Sequence, residues 1–158
     1  MKSKRVKDSS YTFAQVAMPV IANPYGNVHG GALLALVDEA AYTVASRHAG
    51  TNVVTASLDH MFFRRPVRVG DVIILEAAIN YVGTTSMEVG VQLHAERAKT
   101  GERFDVGSAF VTMVALDDRG RPTPVPRLAL TSAAERRRFR EALRRRSYRL
   151  RLAKRQPA

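Results

Sequence analysis

The 158-residue chain has no cysteine at all. That one absence removes a disulfide framework, thiolate metal sites and a thiol nucleophile together. Its four histidines, at positions 29, 48, 60 and 94, are scattered, with no H-x-H or H-x3-H pair, so a protein-built zinc site is not expected. There is no G-x-S-x-G elbow and no Walker-type loop. No apolar run approaches the length of a membrane span, and the basic, then polar first ten residues lack the apolar core of a signal peptide. A cytoplasmic protein is the expectation. Acids are scarce too: 14 Asp and Glu face 25 Lys and Arg, a formal charge of +11.

What remains is the composition of a globular protein, 46% hydrophobic and 25% charged. The length suits one domain with a proper core. The positive charge is not spread over it. Residues 131–158 hold eleven Lys and Arg against two acids, a net of +9, which leaves +2 for the first 130 residues. The charge belongs to a tail.

The densest pattern lies in residues 23–48. Asn23, Asn27, His29, Gly30 and Gly31 form a tight loop, and a helix follows. Its apolar positions Leu33, Leu36, Val37, Ala40, Ala41 and Val44 fall on one face over three turns. Asp38 and Glu39 interrupt this face, and no Lys or Arg lies one turn away to pair with either. A carboxylate on a buried helix is costly, so for an arbitrary helix it more often points to solvent or meets a partner elsewhere. The sharper reading keeps one in a cleft for acid–base work. The glycine pair lets another molecule approach the free N–H groups of the first turn, where the helix dipole favours a phosphate or an oxyanion.

Strand-like runs surround the helix. A short strand is expected over residues 11–18, then others over 53–63, 71–82, 86–96 and 103–116, the last two joined by a hairpin-type turn at 99–102. In the 86–96 run, Met87, Val89, Val91, Leu93 and Ala95 alternate with Ser86, Glu88, Gln92, His94 and Glu96. An antiparallel sheet wrapped around one long helix buries the helix stripe, an α+β arrangement. The other face of the sheet is expected to lack cover from its own chain, and its edge strands favour a dimer. After P-T-P-V-P, Ser132 and Glu135 have capping-box spacing and open a second, arginine-rich helix.

N-P-Y-G-N-V-H-G-G-x6-D-E-A-A resembles the active-site loop and central helix of the hotdog-fold acyl-CoA thioesterases, in particular the cytosolic long-chain acyl-CoA hydrolases and their bacterial relatives. F-x-R-P-V-x-V-G-D ending at Asp71, G-T-T-S-M-E-V over 83–89 and F-V-T-M-V-A-L-D over 110–117 extend the resemblance to roughly residues 15–127. It implies a single hotdog domain at residues 11–127, after a flexible N-terminus at 1–10 and before a basic helical tail at 128–158. It also implies hydrolysis of medium- to long-chain fatty acyl-CoA to free acid and CoA. Asn23 and Asp38, fifteen residues apart, occupy the family's catalytic amide and acid positions, each pair completed across a dimer. Asp38 would be general base or, less readily, nucleophile. N–H groups near Gly30 and Gly31 would hold the oxyanion. His29 could contribute or simply shape the turn, and Glu39 is left structural. Asn27, Arg64, Arg65, Gly83, Thr84, Thr85 and Ser86 are candidates for contacting the substrate, notably CoA phosphates and pantetheine. No metal and no cofactor beyond the substrate's own CoA is expected. The family builds dimers, commonly assembled into hexamers as trimers of dimers.

For the tail, a solvated or docking helix ranks ahead of contact with nucleic acid or an anionic membrane. No specific nucleic acid partner is expected. On this reading the tail is separable, and removing residues 131–158 leaves a folded domain. Two rivals stand beside the hydrolase: a hotdog hydroxyacyl-thioester dehydratase, for which only His29 is at hand, and a basic-tailed scaffold for nucleic acid or membrane.

Overall fold

The computed structural model describes residues 2–59 and 61–155; Met1, His60 and the last three residues of the tail lie outside them. Five antiparallel strands form the main sheet: β2 (Tyr11–Val16), β3 (Asn52–Leu58), β4 (Val72–Val82), β5 (Ser86–Glu96) and β6 (Arg103–Leu116), in the order β2-β4-β5-β6-β3. Helix α1 (Gly30–Ala49) lies across the concave face. Its stripe of Leu33, Val37, Ala40, Ala41, Val44 and Ala45 meets Ile73, Leu75, Ile79, Val89, Leu93 and Val111, all at most 3% exposed. Each buried Val, Leu or Ile contributes about 1.5–3 kcal/mol. The alanines bring helix and sheet close, and Gly50, left-handed at φ 71°, ends the helix by donating to Ser46 O. The helix thus continues to Ala49, and β3 begins at Asn52.

Strands β5 and β6 span the residues expected of them. The expected strand at 53–63 is shorter. Pairing of β3 with β6 ends at Leu58 opposite Val111, and residues 61–66 then cross the sheet as a loop. Arg64 N donates to Val106 O, and the loop passes so close to β6 that a Cβ on Gly107 would sit 2.7 Å from Phe62 O. Only glycine fits that crossing. A bulge in β6 at the same point, where the register against Leu93 and His94 shifts, accommodates it.

Three expectations are corrected. The N-terminus is pinned: β1 (Lys4–Arg5) pairs in parallel with β7 (Leu128–Ala129), and Val6 and Ser9 are buried. This pairing also ties the start of the tail region to the domain. The outer face of the sheet is covered by its own chain, by helix α2 (Ala133–Ala153), which begins with the expected capping box of Ser132 and Glu135. Finally, the tail helix packs into the domain and does not stand apart from it. Ala142 is fully buried, the Phe139 ring lies 5.1 Å from that of Tyr81, and Arg145 stacks 3.6 Å over Phe110. Beneath them Glu88, assigned to the polar side of β5, is 1% exposed. It accepts from Arg145 Nη2 at 2.7 Å, Arg149 Nη2 at 2.8 Å and Asn80 Nδ2 at 3.3 Å. Arg149 also reaches Asp59 at 2.8 Å. A buried carboxylate requires such partners.

Candidate active site

The loop before α1 is held by its own side chains. Asn23 Oδ1 accepts from the backbone N–H of Tyr25 at 3.0 Å and of Asn27 at 3.2 Å, and Asn23 N donates to Asn27 O. The turn uses the amide oxygen and leaves Nδ2 to donate elsewhere. His29 is the N-cap of α1, its Nδ1 accepting from Gly31 N at 2.9 Å. A Cβ on Gly31 would lie 3.0 Å from that ring, which accounts for the second glycine. The cap consumes the Gly31 N–H, and Ala32 and Leu33 both donate to His29 O. Gly30 N is the one first-turn amide without a partner among the described residues. Of the two glycines expected near an oxyanion, only Gly30 has its N–H unengaged among the described residues, and His29 shapes the turn.

Asn23, Asn27, Gly30, Arg64 and Arg65 line one cleft of about 280 Å³, walled by Val28, Leu33, Phe63 and Val67. Arg64 pairs with Asp105, and the Arg65 guanidinium lies 5.8 Å over the Phe104 ring. Both are anchored at the cleft mouth. The base of the loop is locked by Asp71, which accepts from Arg68 N at 2.8 Å and pairs with Arg97. That gives the V-G-D motif a structural role.

Neither helix carboxylate lines this cleft. Asp38 is eight residues beyond Gly30, roughly 12 Å along the axis. The two acids leave α1 about 100° apart and face different strands. Glu39 faces Tyr11 and Phe13 of β2, in a recess of about 80 Å³. Asp38 faces β3, where it accepts a 2.6 Å hydrogen bond from Thr55 Oγ1. Within one chain, then, neither acid meets the Asn23 cleft. Thr55 was missed in the sequence. It sits in an ordinary β-branched run, and its link to Asp38 arises only when α1 folds against β3.

The 83–86 turn is also remote from the cleft. Gly83 N donates to Ser86 O, while Thr84 O and Thr85 O accept from Val125 N and Ala115 N. It lies at the far end of β4 from Asp71, roughly 35 Å along an 11-residue strand. One chain thus gathers the amide, Gly30 and two arginines in one place, and places the acid with its threonine in another. The β3 edge beside Asp38 and Thr55 is open and carries no charged residue, N-V-V-T-A-S-L. Unprotected edges of this kind are normally paired. No cluster of three metal-ligating side chains occurs among the described residues. No helix among them is long and apolar enough to cross a membrane.

Comparison with known proteins decides the family. The Thioesterase superfamily profile matches residues 25–102. The uncharacterized acyl-CoA thioester hydrolase YkhA of Bacillus subtilis is 38% identical over 122 residues, 77% of this chain and 71% of the relative. The chain belongs to the hotdog-fold acyl-CoA thioesterases. Among solved thioesterases, an apo-hexameric acyl-CoA thioesterase superposes with TM-score 0.92 at 37% identity, covering 97% of this chain and 98% of that one. The acyl-CoA hydrolase of Staphylococcus aureus, solved with butyryl-CoA, CoA and CoA disulfide, gives 0.87 at 33% identity, over 97% and 95%. Three further structures of the Staphylococcus hydrolase carry alanine in place of an asparagine, an aspartate and a threonine, spaced 15 and then 17 residues apart. Asn23, Asp38 and Thr55 of this thioesterase have the same identities and spacing.

Proposed function

We propose that this thioesterase hydrolyses medium- to long-chain fatty acyl-CoA at a site built from two copies of the chain. The observation that carries this reading is the division of the groups. Asp38 and Thr55 lie beside an uncharged open edge, and Asn23, Gly30, Arg64 and Arg65 lie in a separate cleft. A second copy paired along β3 supplies the missing half of each site, giving a dimer and, by analogy with the hexameric relatives, a trimer of dimers.

In the mechanism, Thr55 aims the Asp38 carboxylate, which takes a proton from water as the water oxygen attacks the thioester carbonyl carbon. The partner's cleft presents Asn23 Nδ2 to orient the reactants, and its Gly30 N–H faces the oxygen that becomes negative. Collapse of the tetrahedral intermediate breaks the C–S bond, and the proton held by Asp38 passes to the departing CoA sulfur. The products are a free acid and CoA. Arg64 and Arg65 meet the CoA phosphates, with Gly83, Thr84, Thr85 and Ser86 from a neighbouring copy along the pantetheine. Asn27 holds the Asn23 turn. The chemistry calls for no metal or cofactor.

The test is thiol release from a panel of acyl-CoAs, together with mixing of two inactive variants. Turnover should rise from acetyl-CoA to the medium and long chains; a preference for acetyl-CoA would sink the substrate assignment. Asn23→Ala and Asp38→Ala proteins should each be inactive and should regain activity after subunit exchange, because hybrid dimers hold one intact site. No recovery in a mixture shown to have exchanged places the whole site in one chain.

A further inference from the structure

The arginines of α2 are sorted by side. Arg145 and Arg149 turn inward to Glu88, Asp59 and the Phe110 ring. Arg136, Arg140, Arg144, Arg151, Lys154 and Arg155 are exposed and have no carboxylate partner among the described residues. At 100° per residue the four arginines on the helix fall within an arc of about 80°, along roughly 22 Å, and Lys154 and Arg155 follow just past its end. Four apolar side chains flank the arc: Leu143 and Leu150 on one side, Tyr148 and Leu152 on the other, each 39–57% exposed. Hydrolysis at Asn23 and Asp38 uses none of these residues.

We propose that this face of α2 docks the protein on an anionic lipid surface. A cationic arc matches a negatively charged bilayer, where each Lys or Arg near the surface favours binding by several-fold. Apolar residues along both margins suit shallow insertion between headgroups, as in helices that lie in an interface plane. Nucleic acid fits less well. Base stacking needs aromatic side chains along the basic groove, and Tyr148 is the one aromatic flanking this arc. The helix is held from beneath by its inner arginines, so the docking face is rigid before contact.

The experiment is co-sedimentation of the full-length protein with phosphatidylcholine vesicles, with and without about 30% phosphatidylglycerol, at about 50 mM and about 500 mM NaCl. Binding is expected to the anionic vesicles at low salt and to be largely lost at high salt. The triple variant Arg140→Gln, Arg144→Gln, Arg151→Gln should lose on the order of a hundredfold in vesicle affinity. Its circular dichroism and its turnover of soluble acyl-CoA should stay unchanged. Equal binding to neutral vesicles, no binding at all, or full binding by the triple variant overturns the proposal. Tighter association with a DNA duplex than with the anionic vesicles, measured by anisotropy, reassigns the arc to nucleic acid and overturns it as well.

Discussion

Removing both inner arginines of α2 should destabilise the protein more than removing any surface charge. In an Arg145→Met, Arg149→Met variant the methionines keep the apolar stems packed on Phe110, but Glu88 loses its two cations. The carboxylate, 1% exposed, would then keep Asn80 Nδ2 at 3.3 Å as its hydrogen-bond donor. Stripping the partners from a buried charge costs about 3–5 kcal/mol. For a domain of this size, that lowers the melting temperature by roughly 10 °C. Adding Glu88→Met removes the orphaned charge, and an apolar replacement of a buried ion cluster is often neutral or better, so most of the loss should return. Thermal and urea melts followed by circular dichroism, at one fixed protein concentration, measure all three proteins. Two results refute the reasoning: a double variant within about 1 kcal/mol of wild type, or a triple variant no more stable than the double.

Asp38→Asn should lower turnover by about 10²- to 10⁴-fold with folding intact, whereas Glu39→Gln, on the β2 side of α1, should retain most activity. The reverse pattern in a thiol-release assay would mean that the wrong carboxylate has been assigned. Thr55→Val keeps the shape of the side chain but removes the 2.6 Å bond to Asp38, and should reduce turnover by about 10- to 100-fold without altering the melt. His48 is buried with Nε2 on Pro126 O at 2.9 Å, and burial pushes its pKa below the usual histidine value. The folded form resists a proton that the unfolded form accepts. Stability is therefore complete above about pH 6.5 and is lost as pH falls from there towards the lowered folded value. In urea melts at stepped pH, His48→Gln, whose amide can still reach Pro126 O, should flatten that slope; an unchanged slope assigns it to another group.

Some of this was legible in the sequence because it depends on local pattern. The period-2 run of β5, the stripe of α1 and the capping box of Ser132 and Glu135 each show themselves within a dozen residues. Glu88 was misread for a reason that alternation cannot reveal. It does lie on the outer face of β5, but a helix 45 residues later returns to cover that face. The packing of residues 4–9 depends in the same way on a strand at the other end of the chain. For the site, spacing and motif picked out Asn23 and Asp38. They could not reveal Thr55, or that His29 uses up the Gly31 N–H. Both facts belong to distances between elements.

The covered carboxylate also bears on how the chain is made. Helix α2 follows all five strands in the chain, so the sheet's residues are synthesised before the helix that covers them. An all-apolar face would be a template for aggregation at that stage. Glu88, Asn80, Gln92 and Glu76 keep it wetted until the arginines arrive. The carboxylate that the α2 arginines neutralise in the folded protein is thus also the charge that interrupts this sheet face wherever α2 is not in place.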